Sequence, residues 1–247
     1  MALTTLGSAA EVLVATGHDP FARGSLRRPL TRGWLAGRAV AWMGVDAQEQ
    51  TSYLNALGPP DEVGALLADL LPELAPRQRL TVPRGTPAHL PAWVSMEMTD
   101  WDLRWLGAPP PEQPGEQAVA DITNDVEVAA LLSESSPTAS ALPGDPAVRR
   151  WVGIREGGRL IACAADTSAA TAVGHLSSIA VHPSARGRRL GATVTAALTR
   201  RLFADGCDIV TLGMYADNAY GRAMYDGLGF ADTHRFTSGP LLVRGRW

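Results

Sequence analysis

The residues best placed for chemistry lie in one stretch of the second half of the chain, Ile179-Ala-Val-His-Pro-Ser-Ala-Arg-Gly-Arg-Arg-Leu-Gly-Ala192. It joins the end of an apolar strand, a turn rich in glycine and arginine, and the start of a helix. Unpaired N–H groups at a helix N-terminus converge on one point and the helix dipole adds positive potential there, so this context suits a phosphate or diphosphate. The N–H groups and side chains concerned belong to Arg186, Gly187, Arg188, Arg189, Leu190, Gly191 and Ala192, with a solvated loop as the competing reading. Three further residues suit acid–base or ligand work. Asn218 and Tyr225 are separated by about two helical turns and return to nearly the same side of a helix. His175, at the head of the strand, carries a side chain that titrates near neutrality.

These groups need a scaffold. His175–His182 reads as a strand ended by Pro183, Leu190–Ala204 as a helix with one apolar stripe, and Ile209–Tyr215 as the next strand, which together make a βαβ unit. A hairpin, Val152–Arg155 and Leu160–Ala165, turns across Glu156-Gly157-Gly158. Glu127–Leu132 and Ala147–Trp151 look helical. Asn218 can cap a helix over Ala219–Leu228 that Gly229 stops, and Phe230–Phe236 and Leu241–Arg244 read as closing strands. Strict alternation along the first strand places Ile179 and Val181 on one face with His175 and Ser177, and Leu176, Ser178, Ala180 and His182 on the other.

The segment Gly107–Glu116 holds four prolines and two glycines in ten residues, which divides the chain into an α/β domain over 1–107, a linker over 108–116 and a second domain over 117–247. In the first domain, Arg38–Asp46, Thr51–Leu57, Arg79–Val82 and Trp93–Trp105 read as strands and Asp61–Leu74 as a helix. Trp93, Trp101 and Trp105, with Asp100 and Asp102 among them, fit either a core or a wall for a cationic amine.

Composition bounds the partners. A formal charge of −3 over 247 residues gives no general drive toward nucleic acid or anionic membrane. All 22 basic residues are arginine, to which no function is attached. Cys163 and Cys207 have neither a C-x-x-C nor a metal-ligand spacing, and are expected as buried free thiols with no metal site. No basic leader and no long apolar run is present, so a cytoplasmic location is expected.

The arginine- and glycine-rich turn after a Val-x-Pro strand end resembles the signature of the GNAT superfamily of N-acetyltransferases, with Arg186, Leu190 and Gly191 matching and Arg189 standing where the family usually has its first glycine. Asn218-Ala-Tyr-Gly-Arg-Ala-Met-Tyr225-Asp-Gly-Leu-Gly-Phe230 is similar to the family's second motif. The resemblance implies an α+β fold, a mixed and mostly antiparallel twisted sheet with flanking helices, and acetyl-CoA or another acyl-CoA as co-substrate. It implies that pantetheine pairs with the backbone of Ile179, Ala180 and Val181, that Asn218 contacts the pantetheine arm, and that Tyr225 protonates the leaving thiolate. The acceptor would be a primary amine of a small molecule or peptide. Family members often place a carboxylate base near the start of this strand, where this chain offers His175. An ordinary helical conformation is expected at Arg189. An acyl-CoA sensor without turnover and a protein N-terminal acetyltransferase are the alternatives. The first domain reads either as a degenerate copy of the same fold or as an unrelated α+β domain.

Overall fold

The computed structural model describes residues 2–26, 29–46, 51–74, 78–169 and 172–243. The chain forms two compact units, one of Met1–Leu103, Tyr215–Asp217 and His234–Trp247, the other of Arg104–Met214 and Asn218–Thr233.

The first unit opens with β1 (Thr4–Leu6), α1 (Ala9–Ala15), α2 (Pro20–Ser25) and β2 (Leu30–Ala36), none of which the sequence reading identified. The reason is their size. The two helices have seven and six residues with one buried side chain each, too short for a 3.6-residue period to show. They are instead fixed by caps: Ser8 accepts from the N–H of Glu11, and Asp19 from that of Phe21.

The antiparallel strands β3 (Ala39–Asp46) and β4 (Thr51–Leu57) come next, then α3 (Pro60–Leu70) and β5 (Gln78–Pro83). Helix α3 buries Val63, Leu66, Leu67 and Leu70 and gives way to a 3-10 turn over Leu71–Glu73, since Pro72 has no N–H to continue the ladder. Strand β5 runs parallel to β4, from Ser52 opposite Gln78 to Asn55 opposite Thr81. The expected strand Trp93–Trp105 is two elements, β6 (Val94–Met96) and β7 (Thr99–Leu106). Trp101 packs on Phe236 at 5.1 Å between ring centroids and donates its indole N–H to Ser238. Asp102 is fully buried against Arg84. Both residues serve the core of this unit.

The second unit contains β8 (Ala120–Ile122), α4 (Asp125–Ser135), β9 (Arg150–Glu156), β10 (Arg159–Asp166), β11 (Val173–Val181), α5 (Leu190–Ala204), β12 (Ile209–Tyr215, of which Tyr215 belongs to the first unit) and α6 (Ala219–Gly227). Strands β8 to β11 are antiparallel in sequence order, and β12 is parallel to β11. The fold is therefore the mixed, mostly antiparallel sheet with flanking helices that the sequence implied. The helix expected over Ala147–Trp151 does not form. Trp151 pairs with Ile122 on one side and Ala165 on the other, and this central position in a sheet outweighs local helical pattern.

Helix α5 buries Val194, Ala197, Leu198 and Leu202 on one face of the sheet, against Val152, Ala162, Leu176, Val210 and Leu212. Helix α4 buries Val128, Leu131 and Leu132 on the opposite face, against Trp151, Leu160, Cys163 and Ala165. The proline-rich segment, expected as an interdomain linker over 108–116, falls within this unit. The carbonyls of Pro110 and Pro114 accept from Arg200 and Thr193 of α5, which is how a run poor in N–H donors is fastened.

The two closing strands expected after α6 are one strand, β13 (Asp232–Val243); Arg244 lies outside the described residues. From His234 onward β13 belongs to the first unit, where it pairs with β5 from Phe236 opposite Pro83 to Pro240 opposite Arg79, and with β6. The boundary between the units thus falls inside β7, after Leu103, and the chain returns to the first unit at its end.

Leu198 is fully buried at the centre of α5. Leu198→Ala is expected to lower the unfolding free energy by about 2–5 kcal/mol, measured as a shift of the urea midpoint with an unchanged slope.

Candidate acyl-coenzyme A site

Strand β11 is paired on both sides only in its first half. Val173–Leu176 lie beside Ile209–Leu212 of β12, and that register ends at Leu176. On the other side, pairing with β10 continues to Val181 opposite Ala162, and the N–H of His182 donates to the carbonyl of Ile161 at 2.9 Å. Since the direction of hydrogen bonding alternates along an antiparallel strand, His182 and Ala180 turn toward β10. The N–H and C=O groups of Ile179 and Val181 point toward the side that β12 has left. The backbone of Ala180, expected among the groups facing the gap, faces β10 instead.

A bulge causes a second departure. Between Cys163 and Ala165 the register shifts, so that Ser178 and Ile179 oppose the single residue Ala164, and Ser178 has φ of 49°. The extra residue resets the alternation. Leu176 faces the α5 side, and Ile179 and Val181 pack on that same cluster, while Ala180 faces the α4 side. The expected grouping of Leu176 with Ser178, Ala180 and His182 is overturned for that reason. The left-handed backbone at Ser178 costs on the order of 1–2 kcal/mol. Two hydrogen bonds offset it: Ser178 Oγ donates to the carbonyl of Ala141 at 2.8 Å and accepts from its N–H at 2.9 Å. The same pair pins the long connection between α4 and β9 to the bulge.

After the strand, His182 accepts from the N–H of Ser184 and starts a 3-10 turn over Pro183–Ala185. Its Nε2 lies 2.9 Å from Glu134 of α4, and this contact, ahead of Arg159, holds the Glu134 carboxyl below the usual carboxylate range. Gly187 has φ of 79° with open space around it, so glycine serves the backbone angle there. Arg189 has φ of 62° and ψ of 9° and is the N-cap of α5. The ordinary helical conformation expected for it is not found; it sits in the left-handed region, where the family's glycine carries no steric penalty.

No side chain caps α5 and no acidic residue lies in its first turn. The N–H groups of Leu190, Gly191 and Ala192 therefore have neither a helical nor a side-chain acceptor, and the dipole of a 15-residue helix adds to their field. This is a donor set that fits a diphosphate. Gly191 serves packing more than ligand approach, because a Cβ there would lie 3.0 Å from Sδ of Met224 and 3.6 Å from Val181. Of the three loop arginines, Arg188 makes a two-pronged pair with Glu156 at 2.7 and 2.9 Å, which raises its pKa and lowers that of Glu156. Arg186 reaches the carbonyl of Ser135 at 3.4 Å.

Helix α6 begins at Asn218, whose Oδ1 accepts from the N–H of Gly221 at 2.8 Å. Its side-chain oxygen is thus engaged in capping the helix that carries Tyr225. Tyr225 is buried and meets Phe230 edge to face, 6.0 Å between centroids. Burial pushes its phenol up to about 12, with Arg104 acting in the opposite direction, so the hydroxyl stays protonated across the neutral range. His175 lies in the paired half of β11. The hydroxyl of Thr211 donates to the carbonyl of Gly174 at 2.9 Å. Its oxygen also lies 2.7 Å from His175 Nδ1, a contact whose direction follows the tautomer of the ring.

The sequence reading missed Ser178, Thr211 and Arg104. Nothing marks Ser178 as the bulge, whereas Arg104 is legible in retrospect as a charge inside Leu103-Arg-Trp-Leu106 of an otherwise apolar strand end. The two cysteines are free; burial pushes the Cys163 thiol up to about 12 and raises that of Cys207, so neither is poised as a nucleophile. Among the described residues no group of three or more metal-ligating side chains converges, and no helix is long and apolar enough to cross a membrane. A cleft of about 430 Å³ between α4 and the β9–β10 turn lies on the α4 side of the sheet; His182, Glu134 and Arg159 line it, and none of Arg186–Ala192, Asn218 or Tyr225 does.

The half-open strand, the uncapped helix and the tyrosine-bearing helix after the next strand all lie within one stretch of the chain that matches a known family. Residues 117–230 match the Acetyltransferase (GNAT) family, and the second unit carries a GNAT domain. Solved structures with the same fold include a GCN5-related N-acetyltransferase from Kribbella flavida, 22% identical over 95% of this chain and 96% of that one, with a TM-score of 0.57. Another, from Sphaerobacter thermophilus, is 14% identical over 99% and 97% of the two chains with a TM-score of 0.58. A tandem GNAT protein from the clavulanic acid biosynthesis pathway aligns over 100% of both chains at 15% identity and a TM-score of 0.54. No curated protein matches the chain significantly. The first unit repeats the order of the second: a short strand, helix, antiparallel strands, then the parallel strand–helix–strand β4-α3-β5.

Arg189→Gly is expected to raise stability by about 0.5–1 kcal/mol by removing the left-handed penalty, read as a higher melting temperature. The backbone donors are unchanged, and an exposed ion pair is worth at most about 1 kcal/mol, so coenzyme A affinity should fall by no more than about fivefold. Ser178→Ala, which removes both bonds to Ala141 and leaves the strained backbone, should destabilise by about 1–3 kcal/mol. Faster amide exchange around Ala141 would accompany it.

Proposed function

We propose that this chain transfers an acetyl or other short acyl group from its coenzyme A thioester to a primary amine of a small molecule or peptide, with both substrates in one complex. The observation that carries the reading is the open edge of β11 after Leu176, leading directly into the uncapped N-terminus of α5.

In this reading the first-turn N–H groups of Leu190, Gly191 and Ala192 and the loop over Arg186–Arg189 hold the pyrophosphate. The N–H and C=O groups of Ile179 and Val181 pair with pantetheine as an added strand would, and one of those N–H groups faces the carbonyl oxygen on which negative charge develops. The amine nitrogen attacks the thioester carbon and the C–S bond breaks. Tyr225, still protonated because its burial disfavours the phenolate, gives its proton to the departing sulfur. The proton lost by the attacking ammonium goes to the imidazole of His175, directly or through water.

The first unit is read as a degenerate copy without a cofactor site. The corresponding turn has Pro59 at the N-cap and Pro60 at the first helical position. The Glu62 carboxylate already accepts from the backbone N–H and guanidinium of Arg38 at 2.7 and 2.8 Å. Missing donors and a resident anion both oppose phosphate. One site per chain and a cytoplasmic location are part of the proposal.

Isothermal titration is expected to show one acetyl-CoA bound per chain, and an amine library should show thiol release above hydrolysis. Tyr225→Phe should lower that release by about a hundredfold while leaving coenzyme A affinity within about threefold. No binding at millimolar acetyl-CoA would remove the whole reading. Binding without amine-dependent release would make the protein an acyl-CoA sensor.

A further inference from the structure

Arg104, at the end of β7 inside the second unit, has no role in the reading above, yet it is 4% exposed and reaches the helix of the candidate acid. Its Nη1 donates to the carbonyl of Arg222 at 3.4 Å and its Nη2 pairs with the carboxylate of Asp226. These positions lie on either side of Tyr225 in α6. Its Nε is buried without a partner. Burying a guanidinium costs several kcal/mol in general, and a single pair to a carboxylate that is itself 53% exposed offsets little of that cost if the only purpose is stability.

We propose that Arg104 is a positioning residue for Tyr225, anchoring α6 on both sides of the tyrosine and presenting a positive charge to its phenol. The inference rests on the reading of Tyr225 as the acid. When the phenol gives its proton to the departing sulfur, its O–H bond breaks and an S–H bond forms, leaving a phenolate in an apolar cluster until the proton removed from the amine returns through the base and solvent. The surrounding cluster, with Val181 of β11, Val194 of α5 and Met214 of β12, is apolar. From α6 itself the charged neighbours are Arg222 and Asp226, the latter bound to Arg104. Arg104 is accordingly the charge that counters the effect of burial on the phenol. It stabilises the phenolate during the interval in which it exists.

The test replaces the four tyrosines with 3-fluorotyrosine, whose more acidic phenol ionises while the chain is folded, and follows each by fluorine NMR as pH rises. Arg104→Met keeps an apolar side chain of comparable length, and Asp226 is exposed enough to be solvated without a partner. The variant should move the Tyr225 midpoint upward by at least about half a pH unit, leave the other tyrosines in place, and lower kcat by about tenfold with KM for the acyl thioester within about threefold. Arg104→Lys keeps the charge and should move the midpoint less. Asp226→Asn removes the anion that offsets Arg104 and should move it downward. A merely structural anchor does not produce opposite signs in the two partners of one ion pair. An unshifted Tyr225 midpoint in folded Arg104→Met overturns the proposal; if that variant does not fold, an unshifted or upward midpoint in Asp226→Asn does the same. Full activity of Tyr225→Phe, by contrast, removes the acid reading of Tyr225 while the titration still decides whether Arg104 acts on its phenol.

Discussion

Parallel pairing between β11 and β12 ends at Leu176, and the candidate site exists because of that early divergence. A parallel strand in the middle of a sheet ordinarily has both edges satisfied. Here the edge beyond Leu176 keeps its hydrogen-bonding groups while losing its neighbour, and unpaired backbone groups in a largely apolar setting are costly unless something else can meet them. An extended amide-bearing chain such as pantetheine presents donors and acceptors at the spacing of a strand, so the open edge is complementary to it. The bulge at Ser178 belongs to the same arrangement. It keeps β11 joined to β10 while turning Ile179 and Val181 onto the α5 side, and its strain is offset by the two bonds to Ala141.

Helix α5 continues the pattern of β11, in that it too leaves backbone donors unsatisfied within the protein. A helix of this length would normally gain about 1 kcal/mol from a side-chain N-cap. Helix α5 forgoes it and places an arginine in a left-handed conformation at that position instead. The first unit shows the same βαβ unit finished the other way. There the helix starts on two consecutive prolines, and Glu62 fills the role of an anion with its own carboxylate. The two βαβ units thus share a topology while their helix starts differ: one begins on free N–H donors, the other on proline with a carboxylate in its first turn.

The long, periodic elements were legible in the sequence. Leu190–Ala204, Ile209–Tyr215 and Thr51–Leu57 form with the boundaries expected, because each has an apolar pattern of sufficient length between clear stops. The turn over Arg186–Ala192 stood out for a different reason: its residue types follow a fixed order that resembles a family motif. The features that escaped were set by partners far away in sequence. The destination of β13 depends on β5, roughly 150 positions before it, and the N-terminal helices depend on single caps. The left-handed angle at Arg189 was unreadable because arginine neither requires nor forbids it strongly enough to leave a trace.

Individual groups within the site escaped for the same reason. Periodicity assigns a face to every residue of β11 only while one residue opposes one, and a single extra residue at Ser178 transfers Ile179 and Val181 to the side of Leu176. Once the register is known, hydrogen-bond direction is given by alternation, and it divides three neighbouring residues into two that face the gap and one that does not. Side-chain roles then depend on what each group has already given away. Thr211 lies within hydrogen-bond reach of both the Gly174 carbonyl and His175 Nδ1, which ties the imidazole to the paired half of β11. The oxygen of Asn218 accepts from the N–H of Gly221 and so caps α6, which ties this side chain first to the helix that carries Tyr225.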